Sequence, residues 1–301
     1  MEWLFEFPEL FELDTSAIDS AVRSFAVSAE GVLDAIKGGL NGLVNFINLI
    51  LSYTPWPVFL LLIAFCGWRA RRSLKSGILY ALLVFLIGAA GLWGLMRTTL
   101  SVVLASVMIA LVLGIPTGIL ISGSERANKI VRPILDTMQT MPVFVYLIPA
   151  LLLFGTGNAS GVIATVIYAV VPVIRLTSLG IRQVDKEVTE AARSFGSTKL
   201  QLLRKVQIPQ AMPTIMTGVN QTLMMAMAMV VTTSMIGVRG LGMEVLNAVN
   251  RIEIGRGLVA GSSVVILAIV LDRLTQGAAP GKRERTAKAA AGEGGAENGR
   301  K

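Results

Sequence analysis

Gly180 to Met212 reads GIRQVDKEVTEAARSFGSTKLQLLRKVQIPQAM and is the longest polar interruption between apolar stretches in this 301-residue chain. It predicts two short helices. Asp185 is placed to cap the first, whose apolar positions Val184, Val188, Ala191 and Phe195 recur at steps of four, three and four. Gly196 supplies the left-handed residue that ends that helix. Ser197 is placed to cap the second helix, Leu200, Leu203 and Val206 form one face of it, and Pro209 is expected to stop it. Two helices joined by a Gly-Ser turn make a compact polar projection, of a size that can seat in a groove on a soluble partner.

On both sides of this projection the chain is apolar. It is 53% hydrophobic and 15% charged, with a mean hydropathy of +0.68. A soluble domain carries about 25% charged residues, so a chain this poor in them predicts an all-α, polytopic membrane helix bundle. A bilayer core about 30 Å thick takes roughly 20 apolar residues per helix. Seven candidate spans meet or approach that length: Pro55 to Trp68, Gly77 to Met96, Thr99 to Ile121, Pro142 to Gly155, Gly161 to Leu179, Pro213 to Ile236 and Gly257 to Leu271. The first and fourth are short, and are expected to continue backwards through Leu49 to Tyr53 and Ile134 to Met141.

The basic residues set the orientation, because basic loops stay on the cytoplasmic side. Arg69, Arg71, Arg72 and Lys75 follow the first span, and Arg126, Lys129 and Arg132 the third. Arg182, Lys186, Arg193, Lys199, Arg204 and Lys205 follow the fifth, and the chain after the seventh is again rich in Lys and Arg. Seven crossings then put the N-terminus outside and the C-terminus inside. The N-terminal stretch agrees with that placement, since Glu2, Glu6, Glu9, Glu12, Asp14, Asp19, Glu30 and Asp34 outweigh Arg23 and Lys37. Residues 1–54 therefore read as an external acidic tail. Within it Phe25, Ala29, Leu33, Ile36, Leu40, Val44, Ile47 and Leu51 predict an amphipathic helix against the membrane or the bundle. Residues 55–96 read as two accessory transmembrane helices, 97–276 as a core interrupted by the cytoplasmic loop 180–212, and 277–301, rich in Ala, Gly, Lys, Arg and Glu without periodicity, as a disordered cytoplasmic tail.

Several chemistries are excluded by composition. Histidine is absent, which removes Ser-His-Asp and Cys-His catalysis and His-ligated metals. The single Cys66 cannot form an internal disulfide or a CxxC pair. The net charge of +8 is spread between apolar spans rather than gathered into a nucleic-acid-binding face. No GxxxxGK[ST] phosphate loop occurs, and Gly196-Ser197-Thr198-Lys199 has similar residue types in another order. Polar side chains inside apolar spans mark a bundle interior or a pathway. Asp136, Gln139, Asn220, Gln221, Thr232, Thr233 and Ser234 are such residues, with interhelical hydrogen bonding as the competing role for each.

Glu190, Ala191 and Ala192, then Gly196, Val206, Ile208 and Pro209, resemble the EAA loop of ABC importer permeases: EAA, three residues, Gly, nine residues, I-x-L-P. Val206 and Ile208 depart conservatively from that pattern. From about Thr98 to Gln276, segments such as PVIRLTSLGIRQV, KVQIPQAMPTIMTGVNQT, SMIGVRGLG and ILAIVLDRLTQ look like the glycine betaine/proline, or quaternary-amine, branch of the family. The resemblance implies a type I ABC importer transmembrane domain in a bacterial inner membrane. It implies no cofactor bound by this chain and no catalysis by it, ATP being used by two partner ATPase subunits. A second permease copy, expected to be identical, and an extracytoplasmic substrate-binding protein complete the implied assembly, with membrane lipid around it. On this sequence the coupling role falls on Glu190, Ala191, Ala192, Phe195, Gly196 and Pro209. The implied cargo is glycine betaine, choline, carnitine, proline betaine or proline.

A quaternary ammonium is best held by aromatic faces. Tyr146 and Tyr168 are the aromatic pathway candidates among only four Trp and four Tyr, alongside the polar candidates Gln139, Asn220 and Gln221. So few aromatics suggest that selective capture lies in the binding protein. An ion-coupled secondary transporter is the competing reading. It calls for repeat symmetry and coupling charges within the membrane, and the sequence offers only Asp136 and Arg175.

Overall fold

The computed structural model describes residues 16–278, and every regular element among them is helical. Two helices, α1 (Ser16–Ser28) and α2 (Glu30–Tyr53), precede a hairpin of α3 (Trp56–Arg71) and α4 (Leu74–Ala89). The core follows as α5 (Trp93–Ser122), α6 (Glu125–Thr140), α7 (Val143–Phe154) and α8 (Asn158–Arg182). After α8 come α9 (Lys186–Ser194), α10 (Lys199–Leu202), a π-helical turn (Leu203–Gln207), α11 (Ile208–Ser234), α12 (Leu241–Arg251) and α13 (Ile254–Ala278).

By length and composition, α5, α8, the continuous stretch Lys199–Ser234 and α13 can each cross a membrane. The pairs α2 with α3 and α6 with α7 pass the same test jointly, but are bent by 101° and 92°. The expected backward continuation of the first and fourth spans is therefore corrected: each turns sharply instead. Proline causes both turns. A residue before proline is pushed out of the helical region, and Thr54 (ψ 113°) before Pro55 and Met141 (ψ 130°) before Pro142 are both extended. With α4, a shorter apolar helix, these segments account for the seven stretches read from the sequence. Trp93 to Met96 belong to α5 rather than to the preceding span, because Gly91, at φ 77°, turns the chain between α4 and α5.

The core is built around α8, against which α5 and α11 pack most extensively. Of its most apolar stretch 67% is buried, against 22% for α13, so α8 is the axis and α13 the periphery. Close approach is enforced at Gly114 and Gly118 of α5. A Cβ at Gly114 would lie 2.4 Å from Val173 Cγ1, and one at Gly118 would lie 2.8 Å from the Ile174 carbonyl oxygen. In lipid such small residues carry helix association, since apolar side chains gain little by leaving a hydrocarbon solvent.

The predicted N-terminal amphipathic helix is divided at Ala29, with α2 carrying its inner face. Val44 is buried and packs with Leu40, Leu43 and Ile47 against Val102, Ala105, Val162 and Val238, so α2 lies on the bundle. At the same end the buried Leu241 N–H, at the start of α12, donates to Thr99 Oγ1 of α5 at 2.8 Å. Residues 1–15, with five of the eight acidic residues of the N-terminal tail, and residues 279–301, nearly all of the predicted C-terminal tail, lie outside the described residues.

Candidate coupling element and inner cleft

The loop after α8 folds as a helical hairpin, and its caps explain its shape. Asp185 accepts from the Glu187 N–H at 2.8 Å and starts α9, as the sequence predicts. Gly196, at φ 80°, ends it in the left-handed conformation that a β-branched side chain resists. The second cap differs by one residue: Thr198, not Ser197, accepts from the Gln201 N–H, and Gln201 Oε1 accepts from the Thr198 N–H. This is a reciprocal capping box. It outcompetes Ser197 because Gln201 stands at the third helical position after Thr198.

Pro209 does not stop the second helix. A proline in a helix clashes with the carbonyl four residues back and removes a donor. Here the π-helical turn Leu203–Gln207 widens the backbone just before it, and the helix runs on into α11. The hairpin is thus joined to a core span by continuous helix from Lys199 to Ser234.

Every residue of α9 is at least partly exposed. Phe195 at its end is 91% exposed, Leu200 is 62% exposed and Val188 39%. Glu190 and Ala191 are exposed and Ala192 half-buried. The inner side is anchored by Val184 and Leu202, both buried. Leu202 lies off the predicted face of Leu200, Leu203 and Val206, which is the partly exposed face.

The five pathway candidates separate into three places. Gln139 and Gln221 line a cleft of about 630 Å³ between α5, α6, α8 and α11, together with Arg132, Arg175 and Arg182. Tyr146 and Tyr168 stack on each other with ring centroids 6.4 Å apart and planes 28° apart. Tyr146 is buried among Leu147, Ala150, Ala164 and Met229, and its hydroxyl has no hydrogen-bond partner among the described residues. Asn220 faces α13: its Nδ2 donates to Asp272 Oδ1 at 2.7 Å, and its Oδ1 accepts from Thr275 Oγ1 at 2.6 Å. Thr233 and Ser234 donate instead to carbonyls of their own helix, Met229 and Val230.

Two ion pairs tie cleft-lining arginines of α8 to α6. Arg175 holds Asp136, and Arg182 holds Glu125. Arg175 and Arg182 are seven residues apart, two turns on one face of α8. Spacing alone could not assign these partners, because Asp136 and Glu125 sit on another helix.

Comparison with known proteins places this architecture. Residues 107–284 match the model of the binding-protein-dependent transport system inner membrane component. The chain belongs to this family. It is 46% identical over 271 residues to the glycine betaine/proline betaine transport system permease protein ProW of Escherichia coli (strain K12), covering 90% of this chain and 75% of that one. It is 47% identical to the glycine betaine/carnitine transport permease protein GbuB of Listeria monocytogenes serotype 1/2a, over 82% of this chain and 89% of that one. The fold also superposes on an inward-facing conformation of the MetNI methionine ABC transporter with a TM-score of 0.51, at 22% identity, over 60% of this chain and 88% of that one. The hairpin and the cleft both fall within the segment that carries the family match, whereas α1 to α4 precede it. The ion-coupled reading gives way, since this family of inner-membrane components serves binding-protein-dependent transport.

Proposed function

We propose that this permease forms the translocation pathway of an ATP-driven importer for glycine betaine, proline or a related quaternary amine. The relatives named for glycine betaine, proline betaine and carnitine support the cargo class. The proposed assembly contains a second, identical permease copy, two cytoplasmic ATPase subunits and an extracytoplasmic binding protein. Hydrolysis belongs to the ATPase subunits and this chain is non-catalytic. The observation that carries the coupling role is Phe195, 91% exposed at the end of a helix that buries none of its residues, its apolar Val188 included. A water-facing aromatic of that kind wants a hydrophobic pocket, and an ATPase groove supplies one. Glu190, Ala191 and Ala192 lie on the same short helix, where two alanines allow close approach. Gly196 sets the hairpin angle, and Pro209 marks where movement passes into α11. Such a device couples only if the ATPase makes different contacts with it in its open and closed states.

The positive-inside rule puts the hairpin, the Arg69 to Lys75 turn and the C-terminus in the cytoplasm, with α1 outside. A cysteine placed in the Arg69 to Lys75 turn of a Cys66→Ala chain is expected to react only from the cytoplasm, and one at Ser16 only from outside. Reaction of both from one face rejects the orientation. The complex reconstituted in liposomes is expected to import glycine betaine only when ATP, the ATPase and the binding protein are all present. Uptake driven by an ion gradient without ATP rejects the function.

A further inference from the structure

The inner cleft holds charged and amide side chains where lipid would not tolerate them. Gln139 and Gln221 are exposed within it, and Arg132 stands one helical turn before Asp136 on α6. A surface of this kind is exposed to water or to another protein, not to hydrocarbon. Arg175 is the group with unused capacity. Its terminal nitrogen pairs with Asp136, while its Nε is buried without a hydrogen-bond partner among the described residues. A planar guanidinium can bind a carboxylate through two parallel hydrogen bonds, and here one of the available donors is idle.

We infer that the Asp136–Arg175 pair in this cleft is an exchange subsite for a small zwitterion, an ammonium carboxylate, on its way to the cytoplasm. The inference rests on the proposed cargo class and narrows it to carboxylated amines. An incoming zwitterion replaces one internal ion pair by two: its carboxylate takes Arg175 and its ammonium takes Asp136. Net charge in the cleft is unchanged. A quaternary ammonium alcohol such as choline offers only half of that exchange. Opening the pair for it would leave Arg175, whose Nε is already buried without a partner, without its counter-charge as well, whereas a carboxylate supplies a replacement for both. Because each occupant must break an existing pair, the subsite binds weakly and releases readily. The Arg182–Glu125 pair lies two turns nearer the coupling hairpin along α8, about 10 Å away, and offers the same kind of exchange at the cleft mouth.

Leu179 lines the cleft one turn beyond Arg175 and is 44% exposed, so a cysteine there reports occupancy. The test uses the permease–ATPase complex with Cys66→Ala and Leu179→Cys, in nanodiscs, without nucleotide and without binding protein. The rate of labelling by N-ethylmaleimide is measured. Glycine betaine at saturation is expected to slow it by about threefold or more, and choline to leave it nearly unchanged. Arg175→Gln is expected to abolish the protection. Asp136→Asn, which frees Arg175, is expected to make acetate protective where the unaltered pair ignores it. Equal protection by choline and glycine betaine, or protection that survives Arg175→Gln, overturns the inference. Should either substitution prevent assembly, the contrast between the two ligands with the pair intact still decides. A complex that imports glycine betaine but shows no protection refutes this subsite alone, whereas one that imports none refutes the proposed function.

Discussion

Helices α8 and α9 are consecutive in the chain, separated only by residues 183–185, and they are opposites. α8 is held on several sides, by α5 and α11 above all, and buries a proline, two threonines and two serines along with its apolar residues. α9 buries nothing, and beside it Phe195 is left in the open. The contrast separates two uses of the same secondary structure. α8 is specified by what surrounds it in this chain, and substitutions there act on the fold. α9 is specified by its caps and by its few contacts within the hairpin, so under the proposed docking substitutions there act on a partner rather than on the fold.

Substitutions can be ranked against that contrast by their effect on stability. The largest effect is expected in the α8 contact. Gly118→Leu forces a side chain against the Ile174 carbonyl and should cost about 3 kcal/mol, read as a lost or strongly lowered melting transition in detergent. Gly38→Leu on α2 is the control: no atom lies within 4 Å of a Cβ there, and melting should barely move. Next comes the link between α11 and α13. Asn220→Leu removes the bonds to Asp272 and Thr275 and should cost about 1 kcal/mol, within the range of interhelical hydrogen bonds in membranes. Equal losses for Gly118→Leu and Asn220→Leu would mean that α8 is not the axis of the bundle. Smaller still in global terms is Thr198→Ala, which removes one half of the capping box. About 1 kcal/mol is expected to be lost locally. Faster amide exchange confined to the hairpin, with the melting transition unchanged, is the outcome that keeps α10 independent of the core.

The same contrast explains how far the sequence could be read. Spans around α8 were legible because burial in lipid or protein demands long apolar runs, and Asp185 and Gly196 were legible because caps are local. Thr54 and Met141 carried their bends in plain view as residues before proline, but long hydrophobicity on both sides argued for straight spans. Pro209 misled in the opposite sense, because a π-helical turn absorbed the clash that the rule predicts. The short helix α12, tied by Arg256 to Glu244 and Glu253, fell between two apolar runs where hydropathy gives no signal. For the cleft, the polar residues Gln139 and Gln221 stood out in apolar surroundings. Their grouping with Arg175, and the separation of Asn220 from them, depends on helix rotation and on which helices are neighbours.

The central proposal is that α9 docks on the ATPase, and the smallest stability effect gives its most direct test. Phe195→Asp touches nothing that holds this chain together and should leave melting unchanged. The quantity to measure is the ATPase subunit captured by purified permease, with and without that substitution, at equal permease loading. Docking of α9 predicts that Phe195→Asp loses most of the captured ATPase while the permease remains folded and in the membrane. Capture equal to that of the unaltered chain would contradict it.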